Sequence, residues 1–319
     1  MAIRPGLALA ILFAAGPAAA QPVGFPAPPP LVSPAKDTID FHVHSEPDVF
    51  GRAMDDIDVA TLSKRKGMRA IVLKNHVTMT ADRAVLVMKA VPGIEVFGGI
   101  VLNKAVGGIN PAAVEWMHRM SGGRGKVVWL PTFDSDKHVK TLVDPKGSGI
   151  VVAPGGVVTP ETEEVLRIIA RENLVLATGH IHAEEVVAVV KRAKELGVKN
   201  ILITHGLTNI PGLSREQVIE VAQMGAVIEY CYMQSMAGAD AMHGWMKHWN
   251  KVTLKDLARV VAMVGSDHVL LSTDLGQHGN MTPPDGMEDM IAGLRKEGVS
   301  QSDIDQMTKT NPARLLGLE

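Results

Sequence analysis

Eight short apolar runs, each followed by a helix-like pattern, constrain this chain of 319 residues more than any other feature. They are "TIDFHVH" (38–44), "AIVLKNH" (70–76), "VFGGIVLN" (96–103), "VVWLPTF" (127–133), "LVLATGH" (174–180), "NILITHG" (200–206), "AVIEYCY" (226–232) and "VLLSTDLG" (269–276). Most are continuous and rich in Val, Ile and Leu, as strands buried on both faces of a parallel sheet are. Between them, "PETEEVLRIIARE" (160–172) opens on Pro and Glu, and "AEEVVAVVKRAKELG" (183–197) ends on basic residues and Gly. "SREQVIEVAQMG" (214–225) adds a Ser-to-Gln capping pair, and "TADRAVLVMKAVPG" (80–93) and "NPAAVEWMHRMSGG" (110–123) behave alike. These are helix start and stop signals. Eight strand–helix units predict an α/β chain, a (β/α)8 TIM barrel forming a single domain over 37–319. The competing doubly wound sheet would place a Gly-rich phosphate turn after its first strand, and none occurs.

Ahead of that domain, residues 1–20 read as a signal peptide: Arg4, then the apolar Leu7 to Ala15, then Ala18, Ala19 and Ala20 before Gln21. The apolar run is too short to span a bilayer. Residues 21–36, "QPVGFPAPPPLVSPAK", read as a Pro-rich linker. The expected location is therefore periplasmic or secreted, with no stable membrane insertion once the signal is cleaved. Cys231 is the single cysteine, so no intrachain disulfide forms. A formal net charge of −2 without a basic run argues against nucleic acid as a partner, and 4% aromatic content leaves few stacking platforms for bases. A small-molecule substrate is the expected partner, and a homo-oligomer is compatible with such a barrel.

Polar residues gather where the strands end. Strand one ends in His42 and His44, strand two in Lys74, Asn75 and His76, strand five in His180, strand six in His205 and strand eight in Asp274. In a barrel these ends converge on one rim, where active sites are built. Spacing of two turns His42 and His44 to the same side of their strand. One such pair is a weak signal; four strand ends supplying imidazoles and a carboxylate point to a divalent metal, zinc foremost. Two long connections, 134–159 and 233–252, follow strands four and seven and are placed to cover the rim. The first is long enough to hold a small hairpin.

This set of residues resembles the amidohydrolase superfamily over roughly residues 37–319. That family's pattern is HxH on strand one, a carboxylated Lys or a Glu on a middle strand, His on strands five and six, and Asp on strand eight. The resemblance implies a ligand set of His42, His44, His180, His205 and Asp274, holding one or two ions. The loop "HSEPD" (44–48) is loosely similar to that of phosphotriesterase-like members. Strand four departs from the pattern, since "VVWLPTF" has neither Lys nor Glu. Lys74, on strand two, is the inward alternative: a carboxylated bridge between two metals, or a free amine that meets an anionic substrate.

The chemistry expected of such a site is hydrolysis of an amide, lactone or other ester-like bond. The metal lowers the pKa of a water and polarises the scissile group, with Asp274 as general base. Arg52, His76 and Tyr232 are the expected substrate contacts: Arg52 for a carboxylate or phosphate, His76 facing as Lys74 does, and Tyr232 as a donor to a substrate oxygen. Glu46 and Asp48 are placed to orient a histidine. His118, His138 and His268 read as structural or surface residues, His182 as a loop or cap residue, and His243, His248 and His278 as loop residues. Two other functions share these residues: a decarboxylase or deaminase, or a metal-binding protein without turnover. The presence of Asp274 favours an enzyme over the last.

Overall fold

The computed structural model describes residues 32–318. The expected signal peptide and most of the expected linker lie outside them. The strands are β1 (Ile39–Val43), β2 (Ala70–Leu73), β3 (Glu95–Val101), β4 (Gly125–Trp129), β5 (Val175–Ala177), β6 (Asn200–Ile203), β7 (Val227–Cys231) and β8 (Val269–Ser272). They pair in sequence order, all parallel. Backbone bonds close the ring between β8 and β1: Asp274 N donates to His42 O at 2.8 Å and His44 N to Leu275 O at 3.0 Å. The chain is a (β/α)8 barrel. All eight expected strands form; of their polar end residues His42 lies within β1, while His44, Lys74, His180, His205 and Asp274 lie just past the paired segments.

Helices surround the sheet, and their signals work as the sequence suggests. Thr159 caps Pro160–Arg171 by accepting from Thr162 N, and Ser214 forms a capping box with Gln217 ahead of Arg215–Gln223. The buried faces of these helices pack on the outward side chains of the strands. Inside the ring, Ile39, Phe41, Ala70, Val72, Phe97 and Val127 begin a second apolar cluster that runs on through β5 to β8. Leu315 and Leu316 of the last helix, Asn311–Leu316, join it from the end where the strands start. Among the described residues no helix is long and apolar enough to cross a membrane.

The segment 134–159 forms no hairpin. Ser135 and Ile150 make an isolated bridge, and the amides of Val152 and Ala153 donate to the Glu185 carboxylate at 2.7 and 2.9 Å. Those amides are thereby taken from any ladder.

Candidate metal centre and cavity

The site begins with an irregularity in β1. Asp40 pairs with Ile71 and Val43 with Leu73, so Phe41 and His42 together oppose Val72 alone. Such a bulge breaks the alternation of faces. Phe41 stays in the interior apolar cluster while His42, the next residue, also turns inward. Asp40 fixes the bulge. Its carboxylate accepts from His42 N at 3.2 Å and Thr273 N at 2.9 Å, tying β1 to the residue before Asp274.

Two further site residues are aimed by unusual backbone. Only four non-glycine residues among those described have positive φ, and two of them are His205 (φ 53°) and Asp274 (φ 54°). His and Asp tolerate this conformation better than most side chains, and its strain is a feature of functional sites. Gly276 lets β8 close on β1: a Cβ there would overlap the His44 carbonyl.

These devices bring the polar ends together. Asp274 Oδ1 lies 3.1 Å from His42 Nε2 and 3.0 Å from His44 Nε2, and Oδ2 lies 3.5 Å from His205 Nε2. Lys74 Nζ is 2.9 Å from His42 Nε2. All five side chains are buried. The interior position of β4 is filled by Trp129, and Lys74 Nζ lies 5.4 Å from its ring centroid. Strand two, not strand four, thus brings an amine to this cluster.

The far ring nitrogens also have partners. His42 Nδ1 meets Glu229 Oε1 at 3.1 Å, His205 Nδ1 meets Gln234 Nε2 at 3.1 Å, and His180 Nδ1 meets His138 Nδ1 at 2.9 Å. Ser135 joins the last pair, accepting from His138 N and donating to His180 O. Cys231 Sγ also approaches His42 Nδ1, at 3.5 Å. Its approach is to the nitrogen that faces Glu229, whereas Lys74 and Asp274 meet the other one.

Burial dominates the electrostatics. It pushes the Lys74 amine down from its ordinary value, and it holds His44, helped by the Arg52 charge, and His180 well below the usual imidazole range. His205 falls to about 3 and His138 to about 4 for the same reason. Burial alone would raise the Asp274 carboxyl, but the imidazoles of His42, His44 and His205 keep it well below its ordinary value. His42 goes the other way: against its burial, the Asp274 and Glu229 carboxylates push it up from its ordinary value. Neutral His44, His180 and His205 and an ionised Asp274 are the protonation states that ligate metals.

The residues fit a divalent ion. Ligand atoms of His42, His205, Cys231 and Asp274 all lie within 4.8 Å of one another. His180 Nε2 is buried without a partner, as a donor awaiting a ligand would be, and His44 Nδ1, on the side of the ring away from Asp274, is unpartnered too. The set is N- and O-rich, which suits zinc and its neighbours.

Above the cluster opens a cavity of about 650 Å³. Its floor includes His44, Lys74, His205 and Asp274, and its walls include Phe50, Phe133, Trp245 and Trp249. Of the expected substrate contacts, Arg52 and His76 line it. Arg52 is held by Asp48, with Nε and Nη2 both 2.8 Å from Oδ2. His76 stacks between His44 and Phe133 and bonds Thr132 Oγ1 at 2.9 Å. Tyr232 lies elsewhere. Glu229 and Cys231 take the inward positions of β7, so Tyr230 faces out and bonds Val252 O; Tyr232 bonds Asp289 on the helix Pro283–Lys296. His138, read from sequence as structural or surface, is instead a cavity residue, and His243 and His278 line the same cavity. Glu229, Cys231, Gln234 and Asp40 escaped the sequence reading. An acid inside the apolar run "AVIEYCY" was the one signal that could have found Glu229.

Residues 37–229 match a family described as "Family of unknown function (DUF6282)". No curated protein matches the chain. Among solved structures, an organophosphorus hydrolase from Deinococcus radiodurans is similar with a TM-score of 0.59 at 17% identity, over 88% of this chain and 92% of that one. A mutant of a PTE-like lactonase from the same organism gives 0.59 at 17%, over 90% and 98%. A structure from the engineering of organophosphate hydrolysis on a weak promiscuous lactonase template gives 0.59 at 18%, over 90% and 98%. At these identities the likeness is one of fold.

Proposed function

The chain belongs to this family, DUF6282, and we propose that its barrel is a metal-dependent hydrolase of the amidohydrolase type, acting on a lactone or other ester-like bond. The observation that carries the reading is the convergence of His42, His44 and His205 on the two oxygens of Asp274, with Lys74 beside them. Similarity of fold to an organophosphorus hydrolase and a PTE-like lactonase supports it.

His42, His44, His205 and Asp274 would hold a first ion, with His180 and Lys74 next to them. When bound, a divalent ion supplies Lewis acidity that polarises the scissile group and acidifies a water. The remaining work falls to the chain. Asp274, at the cavity floor, accepts the proton of the attacking water and delivers it to the leaving group. Arg52, pre-oriented by Asp48, pairs with an anionic or strongly polar group of the substrate. Phe50, Phe133, Trp245 and Trp249 enclose an apolar body and exclude water around the reacting bond.

The test is metal content together with turnover. Protein purified without chelator and reconstituted with zinc, cobalt or manganese is assayed on a panel of lactones, aryl esters, amides and phosphotriesters. We expect hydrolysis that a chelator abolishes and added metal restores. Metal-replete protein that turns over nothing in the panel would reject the hydrolase. In Lys74→Ala, a drop from about two equivalents to one would identify Lys74 as a bridge. One equivalent in both proteins would assign it to the substrate.

A further inference from the structure

Beneath the donor cluster lies a carboxylate that the reaction above leaves unused. Glu229 sits in the middle of β7 and is fully buried. Ser272 Oγ donates to its Oε1 at 2.7 Å, His42 Nδ1 meets the same oxygen at 3.1 Å, and Oε2 has no partner. An ionised oxygen left unpaired in a dry interior opposes folding. The interior neighbours Val227 and Leu270 give it no compensating hydrogen bond. Such a group persists where it serves a site.

What it does to His42 follows from elementary chemistry. A ring nitrogen facing a carboxylate carries the proton, because two lone pairs repel. Nε2 faces a carboxylate too, that of Asp274, with the Lys74 amine beside it. An ion held at Asp274 would take the place of the proton at Nε2, while Nδ1–H stays committed to the buried Glu229. Carboxylate at the far nitrogen also makes an imidazole a stronger donor to a metal. His180 and His205 are held at their far nitrogens by uncharged groups, His138 and Gln234. Glu229 is the charged member of the three.

We propose that Glu229 is a positioning residue that orients His42, selects Nε2 as its metal-facing nitrogen and raises the affinity of the site for a divalent ion without touching it. This rests on the metal-dependent reading above.

The experiment strips the protein of metal, titrates it with zinc against a chromophoric chelator, and records the melting temperature before and after. In Glu229→Gln we expect zinc to bind about 10- to 100-fold more weakly, while the metal-free protein melts no lower than metal-free wild type. A residue with a merely structural role would do the reverse, lowering the metal-free melting temperature and leaving affinity unchanged; that result overturns the proposal. Where Glu229→Gln fails to fold, Ser272→Ala carries the test, since it removes the donor that holds Glu229. Weaker zinc binding by several-fold in Ser272→Ala supports the proposal, and wild-type affinity rejects it. Wild type that binds no zinc, cobalt or manganese rejects the metal reading itself. Wild type that binds zinc no better than Glu229→Gln rejects only the role of Glu229.

Discussion

Phe41 and His42 are adjacent on one bulge of β1, yet they belong to different halves of the barrel. Phe41 lies in an apolar plug that begins with Ile39 and is closed from below by Leu315 and Leu316. His42 lies in a polar layer where both of its ring nitrogens have named neighbours. The plug gains from area removed from water, which is non-directional and tolerant of reshuffling. The layer above it depends on the placement of single atoms. The same strands thus carry stability at one end and chemistry at the other, a division this fold makes generally.

Substitutions at the two neighbours separate those roles. His42→Ala should lose metal and, with it, several kcal/mol of transition-state stabilisation, about a thousandfold in kcat at 1.36 kcal/mol per tenfold. Retention of both metal and turnover would break the division. Phe41→Ala should cost about 3–5 kcal/mol of folding stability through the cavity it leaves. At low temperature, where it is folded, its zinc affinity should stay near wild type, as chelator competition would show.

A milder test uses the ion as a reporter. Zinc at a hundredfold its Kd should raise the unfolding free energy by about 2.7 kcal/mol. That increment should appear in wild type and in Phe41→Ala, and vanish in His42→Ala. An increment lost in Phe41→Ala would mean that plug and layer are one cooperative structure. Arg52→Gln should lower kcat/KM for anionic substrates by about tenfold, roughly 1.4 kcal/mol, without changing metal content. An equal loss on neutral substrates would remove Arg52 from recognition. The smallest effect is expected at Tyr232→Phe. Loss of its bond to Asp289 should cost about 1 kcal/mol of stability and leave kcat/KM unchanged. A drop in kcat/KM would return Tyr232 to the cavity.

The plug was more legible in sequence than the layer. Continuous Val, Ile and Leu runs identify strands whatever their exact register, so all eight were found. The metal residues were legible because they stand at the ends of those runs, where polarity contrasts with what precedes it. What failed was parity and distance. Sequence makes Tyr232 a donor to a substrate oxygen, but its side chain turns away from the cavity once Glu229 and Cys231 take the inner face of β7. The bulge at Phe41 and His42 leaves no mark in an alternation count. His138 reaches His180 only because the chain after β4 turns back through Ser135. No periodicity encodes that return, nor could it reveal that Trp129 fills β4 while Lys74 arrives from β2.

The left-handed backbone at His205 and Asp274 also shapes how this protein can change. Most side chains pay a steric penalty in that conformation, Val and Ile most of all, while Gly, Asn, Asp and His are comparatively at ease. Single substitutions that keep the fold at these two positions are thus drawn largely from residues that still offer an oxygen or nitrogen, or from glycine. Descent from this barrel can trade one metal for another, or lower affinity by degrees. Turning the rim into an apolar pocket would first require remaking the loops after β6 and β8.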